Sequence, residues 1–267
     1  MTDILQEIIA NKRIEVERQK QTAGLRDLQA KTPQRKVLSM RAALESSLSG
    51  IIAEFKRKSP SKGWLYPEAK VEDITRDYEK YGASACSVLT DNKFFGGSLQ
   101  DLQTARQTVN LPLLRKDFII DEYQLYQAAA AGADAILLIA AALDREQCLF
   151  LAQSAHNLQL EVLLEIHNEE ELCQLNPYID MLGVNNRNLG TFYTNTANSF
   201  RLAEQLKSLT MSNICAPLLV SESGISDADT VRRLRKVGFR GFLIGETFMK
   251  NPHPGEYLRG FIEQLID

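Results

Sequence analysis

From residue 51 onward the chain repeats one device eight times: a short apolar run, then a stretch long enough to form a helix. The runs cover 51–55 (IIAEF), 85–90 (ACSVLT), 111–116 (LPLLRK), 135–140 (AILLIA), 161–166 (EVLLEI), 180–185 (DMLGVN), 217–223 (PLLVSES) and 241–246 (GFLIGE). Apolar runs this short and continuous fit strands buried on both faces. Helical spacing fills the intervals, as in VEDITRDYEKYG (71–82), DEYQLYQAAAAG (121–132), DREQCLFLAQSAHNL (144–158) and DADTVRRLRKVG (227–238). Three of these end in Gly, where a helix C-terminus turns left-handed. Asp144, and Asp227 or Ser226, fit helix starts. Alternating strands and helices demand a parallel sheet with right-handed crossovers, and eight repeats can close into a barrel without edges. The rival is an open doubly wound sheet, but no Gly-rich dinucleotide fingerprint follows the first strand. The expected fold is therefore α/β, a (β/α)8 TIM barrel with an N-terminal helical extension. With no linker or low-complexity tract in 267 residues, positions 1–267 read as one domain.

The extension spans residues 1–48. Residues from about 4 to 29 show helical spacing of Ile4, Leu5, Ile8, Ile9, Ile14 and Val16, with Glu, Lys and Arg outside. A second helical stretch covers about 37–48. Neither has a partner of its own, so both are expected to pack on the barrel. The net charge of −3 offers no field for nucleic acid or an anionic membrane surface. An anionic ligand would need local positive charge instead. The N-terminus lacks the apolar core of a signal peptide, and the longest apolar run, 135–143, is too short to span a bilayer. These features predict a cytoplasmic protein with neither nucleic-acid nor membrane partners. Cys86, Cys148, Cys173 and Cys215 are too scattered for a disulfide framework or zinc site and read as buried thiols in a reducing compartment. His156, His167 and His253 are equally scattered and read as surface or helix-side residues.

In such barrels chemistry sits where the strands end. Here those ends are rich in charge: Glu54 to Ser61 after the first run, Arg115-Lys116-Asp117 after the third, Glu165 on the fifth, Asn185 to Asn188 after the sixth. Side chains alternate along a strand. Ile52, Glu54 and Lys56 therefore share one face, as do Pro112, Leu114 and Lys116, and Glu161, Leu163 and Glu165. If these faces point inward, Glu54, Lys56, Lys116 and Glu165 converge on the barrel mouth, a mixture suited to acid–base work. A lone charge at a strand end is as often a solvated loop residue, which is where Arg57 and Lys58 are left, or in salt bridges. Ser223-Gly224 and Gly245 after the seventh and eighth runs let backbone amides approach an anion, the usual phosphate position of these barrels.

The segments IIAEFKRKSPSKG, LTDNKFFGGS, LLRKDFIIDEYQ, LLEIHN, GVNNRNL, VSESGI and LIGE, in this order, resemble the motif series of the indole-3-glycerol phosphate synthases. The N-terminal helices resemble that family's extension, so the likeness covers the whole chain. It implies a carboxy-lyase of tryptophan biosynthesis that closes the ring of 1-(2-carboxyphenylamino)-1-deoxyribulose 5-phosphate, losing carbon dioxide and water, with no metal or organic cofactor. By motif, Lys116 corresponds to the general acid. Lys56 corresponds to the lysine on the substrate carboxylate that assists dehydration, Glu165 to the carboxylate that helps remove the hydroxyl or ring proton, and Glu54 to the glutamate that holds the lysines. Asn185 and Arg187 correspond to residues near the anthranilate moiety, Ser223, Gly224 and Gly245 to the phosphate cradle, and Ser59 and Phe95 to a polar contact and an aromatic wall. Glu246 departs from a position often filled by Ser and is left out of the site, because a carboxylate there would repel phosphate unless turned away.

A lysine acting as acid near neutral pH needs a lowered pKa or firm orientation by partners. Lys56 would lower that of Lys116, whereas Glu54 and Glu165 would raise it. Two other functions fit the phosphate loops: a sugar-phosphate isomerase and a non-catalytic phosphometabolite-binding protein. The paired Glu54 and Lys56 with Lys116 speak against the first, and the convergence of costly charges against the second. Gly63 and the basic residues of the loop 58–66 suit a substrate-gated lid, whose mobility the sequence leaves open. The sequence leaves monomer and weak homodimer both open.

Overall fold

The computed structural model describes residues 4–32, 35–188, 193–210 and 217–266, so Cys215 lies outside the described residues. Eight parallel strands close on themselves: β1 (Ile51–Phe55), β2 (Ala85–Leu89), β3 (Leu113–Lys116), β4 (Ala135–Ile139), β5 (Glu161–Ile166), β6 (Met181–Asn185), β7 (Leu218–Glu222) and β8 (Gly241–Ile244). Each pairs with the next, and β8 returns to β1 through Ile51↔Phe242 and Ile52↔Leu243. The expected barrel is thus present, with all eight strands inside or at the predicted runs. Asp144 and Asp227 cap the helices that follow them, accepting from Gln147 N and Thr230 N. Gly82, Gly132 and Gly238 take positive φ where helices end.

Strand alternation divides the apolar residues into two cores. Ile51, Ala53 and Phe55 face outward with the helices, whereas Ile52, Leu114, Leu163 and Val220 fill the barrel interior. These four come from β1, β3, β5 and β7, the alternate-strand layering of a filled barrel. One step further up the same strands stand Glu54, Lys116, Glu165 and Glu222, each at the alternating position that faces inward.

The extension wraps this barrel as three helices: α1 (Ile4–Thr22), α2 (Leu25–Lys31) and α3 (Met40–Ser46). The single helix expected to residue 29 is interrupted at Gly24, which caps α2 with an extended backbone. Leu5, Ile8, Ile9 and Val16 are buried as expected, but Ile14 is 55 % exposed and Lys12 is only 1 % exposed. The expected apolar stripe therefore has a cation within it. The Lys12 ammonium lies 2.9 Å from each of Glu15, Asp91 and Asp117, and Arg115 pairs with Asp117 at 2.9 Å. Further along, Arg35 binds Asp134 at 2.7 Å, and the Arg41 amide donates to Glu161 at 2.9 Å. Met40 and Leu44 of α3 join the interior cluster, closing the end where the strands begin.

The segment after β1, expected as a loop, carries a two-stranded hairpin, Lys58–Ser59 with Gly63–Trp64. Arg57 at its base binds both oxygens of Asp101 at 2.8 and 2.9 Å, the salt-bridge alternative foreseen for it. Cys86 and Cys148 are buried, but Cys173 is exposed, because it lies on the short turn Glu170–Gln174 outside the helix layer. Among the described residues no helix is long and apolar enough to cross a membrane. Removing one partner from a buried charge cluster costs about 3 kcal/mol or more, because the others stay buried and unpaired. Lys12→Met should therefore lower the unfolding free energy by about that amount in urea denaturation, and a loss below about 1 kcal/mol would show that the cluster does not hold α1.

Candidate active site

Where the strands end, a cavity of about 540 Å³ opens above the charged layer. Glu54, Lys56, Lys116, Glu165, Asn185, Arg187, Ser223, Gly224 and Gly245 all line it. So does Glu222, which the sequence reading passed over although Leu218, Val220 and Glu222 alternate just as the other strands do. Ser59 is the exception among the expected residues. It is buried beneath the hairpin with its Oγ accepting from Lys62 N, and Ser61 lines the cavity instead. Phe95 faces the cavity beside Phe118, at 6.0 Å between ring centroids, while Phe94 is buried behind it. The N-terminal helix also contributes: Ile4, Leu5 and Ile8 form part of the wall.

Lys56 pairs with Glu54 at 2.6 Å, and Lys116 with Glu165 at 3.3 Å. Burial works against a charge on Lys116, but Glu165, Glu222 and Glu54 outweigh it and hold the ammonium well above its ordinary range. Of the two routes expected for a lysine acid, the structure has firm orientation and not a lowered pKa. Burial pushes the Glu165 carboxyl up, while Lys116, His167 and Asn185 pull it below its usual range. Glu222, buried and facing Glu165, is pushed well above the usual carboxylate range. With Glu222 neutral, two lysines face two carboxylates, and the desolvated layer is balanced.

Two glycines make room for this layer. A Cβ on Gly183 would sit 2.0 Å from Glu222 Oε1, and one on Gly245 2.4 Å from Glu54 Oε1. Gly245 thus has a packing reason beside its expected place at an anion. The turn after β7 is strained: Ser223 and Gly224 both have left-handed backbone, with φ of 65° and 74°. Asn186 clamps it, its amide donating to the Ser221 hydroxyl and to the carbonyls of Glu222 and Ser223 at 3.0–3.1 Å. The Asn186 carbonyl oxygen accepts from Ser199 N and Oγ. Arg187 reaches Ser61 Oγ at 2.9 Å and Glu246 at 3.0 Å, so the Glu246 carboxylate is turned toward a cation. His167, expected as a surface or helix-side residue, follows β5 and lies half-buried beside Glu165 at 3.4 Å. Among the described residues no group of three or more His, Cys, Asp or Glu could hold a metal ion.

The arrangement has an oriented ammonium beside a charged carboxylate, a neutral carboxyl beside both, and a cationic rim at Lys56 and Arg187. The strained Ser223–Gly224 turn lines the same cavity. Together these groups can protonate an oxygen, accept a proton nearby, and hold an anionic ligand. The neutral Glu222 has a consequence for stability. A carboxyl whose folded pKa is raised stabilises the fold fully below its unfolded value, near 4.5, and loses that contribution as pH rises through the folded value. Glu222→Gln removes this loss. Its stability relative to the parent should therefore increase between pH 5 and pH 8, by up to about 1.4 kcal/mol per pH unit. Parallel curves in urea denaturation would mean that Glu222 is ionised in the fold.

The sequence profile of the family described as indole-3-glycerol phosphate synthase matches residues 5–261. An indole-3-glycerol phosphate synthase of Bacteroides thetaiotaomicron is 61 % identical over 99 % of this chain and its own entire length. One of Neisseria meningitidis serogroup B is 46 % identical, covering 94 % of this chain and 95 % of its own. Among solved structures, the tryptophan synthase alpha subunit of Legionella pneumophila superposes with a TM-score of 0.60 at 16 % identity, covering 85 % of this chain and 97 % of its own, a likeness of fold.

Proposed function

The chain belongs to the indole-3-glycerol phosphate synthase family, and from that premise we propose how its barrel mouth performs the ring closure. The chain is a decarboxylating lyase of tryptophan biosynthesis. Its substrate is 1-(2-carboxyphenylamino)-1-deoxyribulose 5-phosphate, and the observation that carries the assignment of roles is the Lys116–Glu165 pair at the cavity floor.

The substrate phosphate sits on the amides of the Ser223–Gly224 turn and of Gly245, which line the cavity. Its benzoate end lies between the cationic rim of Lys56 and Arg187 and the ring of Phe95, with the apolar residues of α1 closing the wall. Lys116, protonated and held by carboxylates, gives its proton to the ribulose carbonyl oxygen as the aromatic carbon attacks the carbonyl carbon. The carboxylate then leaves as carbon dioxide, its bonding electrons restoring the aromatic ring. Loss of the new hydroxyl as water follows. Lys56 protonates the departing hydroxyl and Glu165 takes the proton lost from the methylene carbon beside the substrate nitrogen, so that the C–C double bond of the new ring forms, while Glu54 fixes Lys56. Glu222, neutral next to Glu165, returns a proton to the pair. Summed over the cycle, one proton enters from solvent, because a carboxylate becomes neutral carbon dioxide. Asn185 orients Glu165, and Ser59 acts through the hairpin that presents Ser61.

The same reading takes residues 1–267 as one cytoplasmic domain that needs no metal or organic cofactor and works as a monomer or weak homodimer on a phosphorylated small molecule, apart from nucleic acid and membranes. The net charge of −3 supports the last of these, the separation from nucleic acid and membranes. Lys116→Met keeps the stem and removes the acid. It should lower kcat by about 10²–10⁴-fold while KM changes little, measured by the indole chromophore that forms from the substrate. A folded wild-type protein that forms no indole product would overturn the function itself.

A further inference from the structure

We propose that His167 is a positioning residue of the barrel mouth: its imidazolium, wedged between Glu165 and Glu171, keeps Glu165 as the charged member of the Glu165–Glu222 pair. The proposal rests on the roles given above to those two carboxyls.

His167 follows Glu165 by two residues at the end of β5 and is half-buried. Its Nε2 lies 3.4 Å from Glu165 Oε1 and its Nδ1 lies 3.5 Å from Glu171 Oε2. Both ring nitrogens therefore face carboxylate oxygens. A neutral imidazole has one N–H and one lone pair, so one of its edges would oppose an acceptor with an acceptor. Only the doubly protonated ring suits both neighbours. Glu171 is held in place for this role: it accepts from the His167 amide at 2.7 Å and from Asn168 Nδ2 at 2.9 Å. Asn198 fixes the backbone on the other side by donating to the His167 carbonyl at 3.0 Å.

The other charges around the ring come from neighbouring elements. Lys116, from β3, opposes the imidazolium, and Arg187 and Arg201 line a second cavity of about 300 Å³ that His167 also borders. Burial and Lys116 work against protonation, but Glu171 and Glu165 outweigh them and raise His167 above its ordinary value. The two carboxylates thus favour the cationic form of the ring, which lies against one member of the carboxyl pair.

That contact reinforces an asymmetry. Glu165 and Glu222 are both buried and both lowered by Lys116, but Lys116 pairs with Glu165 alone, and His167 adds a second cation to the same carboxyl. His167 acts on the Glu165 oxygen that Lys116 leaves open, Oε1, while Lys116 takes Oε2. With Asn185 adding a neutral donor to Glu165, the charge settles on Glu165 and the proton on Glu222. The ring does not line the main cavity, so it acts through Glu165 and not on the substrate.

The test is the pH profile of kcat/KM for indole formation, together with the NMR titration of the His167 ring. An opposite charge at this distance moves a carboxyl by about one unit or more. His167→Gln should therefore raise the acid limb by about one pH unit, which is about a tenfold loss of kcat/KM on that limb, with the alkaline plateau nearly kept. His167→Lys restores a cation and should return the limb toward the parent. In the parent the ring should titrate above 6.5, and Glu171→Gln should bring that value down. A purely structural histidine would lower activity at every pH and leave the limb in place. An unmoved limb in His167→Gln, or a ring that titrates below 6.5, overturns the proposal. If the parent protein forms no indole at any pH, it is the ring-closure reading that fails, and the ring titration still decides the charge of His167.

Discussion

Three carboxyls and two lysines share one desolvated layer at the top of the barrel, and they cannot all be charged. Much of the local architecture answers to that constraint. Glu54 is matched by Lys56 and Glu165 by Lys116. Glu222 stays neutral because it has no cation of its own. The layer fits only because β6 and the end of β8 carry glycine where a Cβ would strike a carboxylate. Below it, Ile52, Leu114, Leu163 and Val220 keep water out and make every charge above them matter more. The chemistry of the mouth is thus a property of the layer and not of any one lysine.

A second charge cluster braces the layer from outside. Asp91 both binds Lys12 and caps the short helix Asn92–Phe95 by accepting from Phe94 N at 2.8 Å. Asp117 binds Lys12, Arg115 and Thr90 while following Lys116 directly in the chain. One ammonium on α1 therefore joins the turn that presents Phe95 to the strand end that presents Lys116. Both aspartates are fully desolvated, and Lys12 and Arg115 hold Asp117 far below the usual carboxylate range against the cost of burial. Such a cluster tolerates little change, because each member left alone would be a buried uncompensated charge.

Period-two alternation between helical stretches was enough to read the barrel and its inward faces from the sequence. The same rule put Glu54, Lys116 and Glu165 at the mouth, and applied to 218–222 it reaches Glu222 as well. What could not be read depends on partners distant in the chain. Lys12 looks like any solvated lysine of an amphipathic helix until Asp91 and Asp117 arrive from two different strand ends. Ile14 looks like core by spacing, but the helix turns that position away from the barrel. The hairpin at 58–64 has two residues per strand, too few to show a period. The break before α2 rests on one glycine. Ser59 and Ser61 share parity and chemistry, and only the turn between them decides which one reaches the cavity. His167 has Glu165 and Glu171 close by in the sequence, but nothing local shows that both carboxylates turn toward its ring.

The extension runs the full height of the barrel, from the cavity wall at Ile4, Leu5 and Ile8 to the plug of Met40 and Leu44 beneath it. Its anchoring bonds span 99 residues between Arg35 and Asp134 and 120 between Arg41 and Glu161. During synthesis these residues precede the barrel out of the ribosome, yet most of what they grip does not exist until β3, β4 and β5 have been made. Contacts so distant in sequence form late, after the loop-closure entropy between them has been overcome. The segment ahead of the barrel in the chain is thereby the closing segment of the folding reaction, and a nascent barrel carries an unplugged floor and an unfinished wall until that segment comes back to seal them.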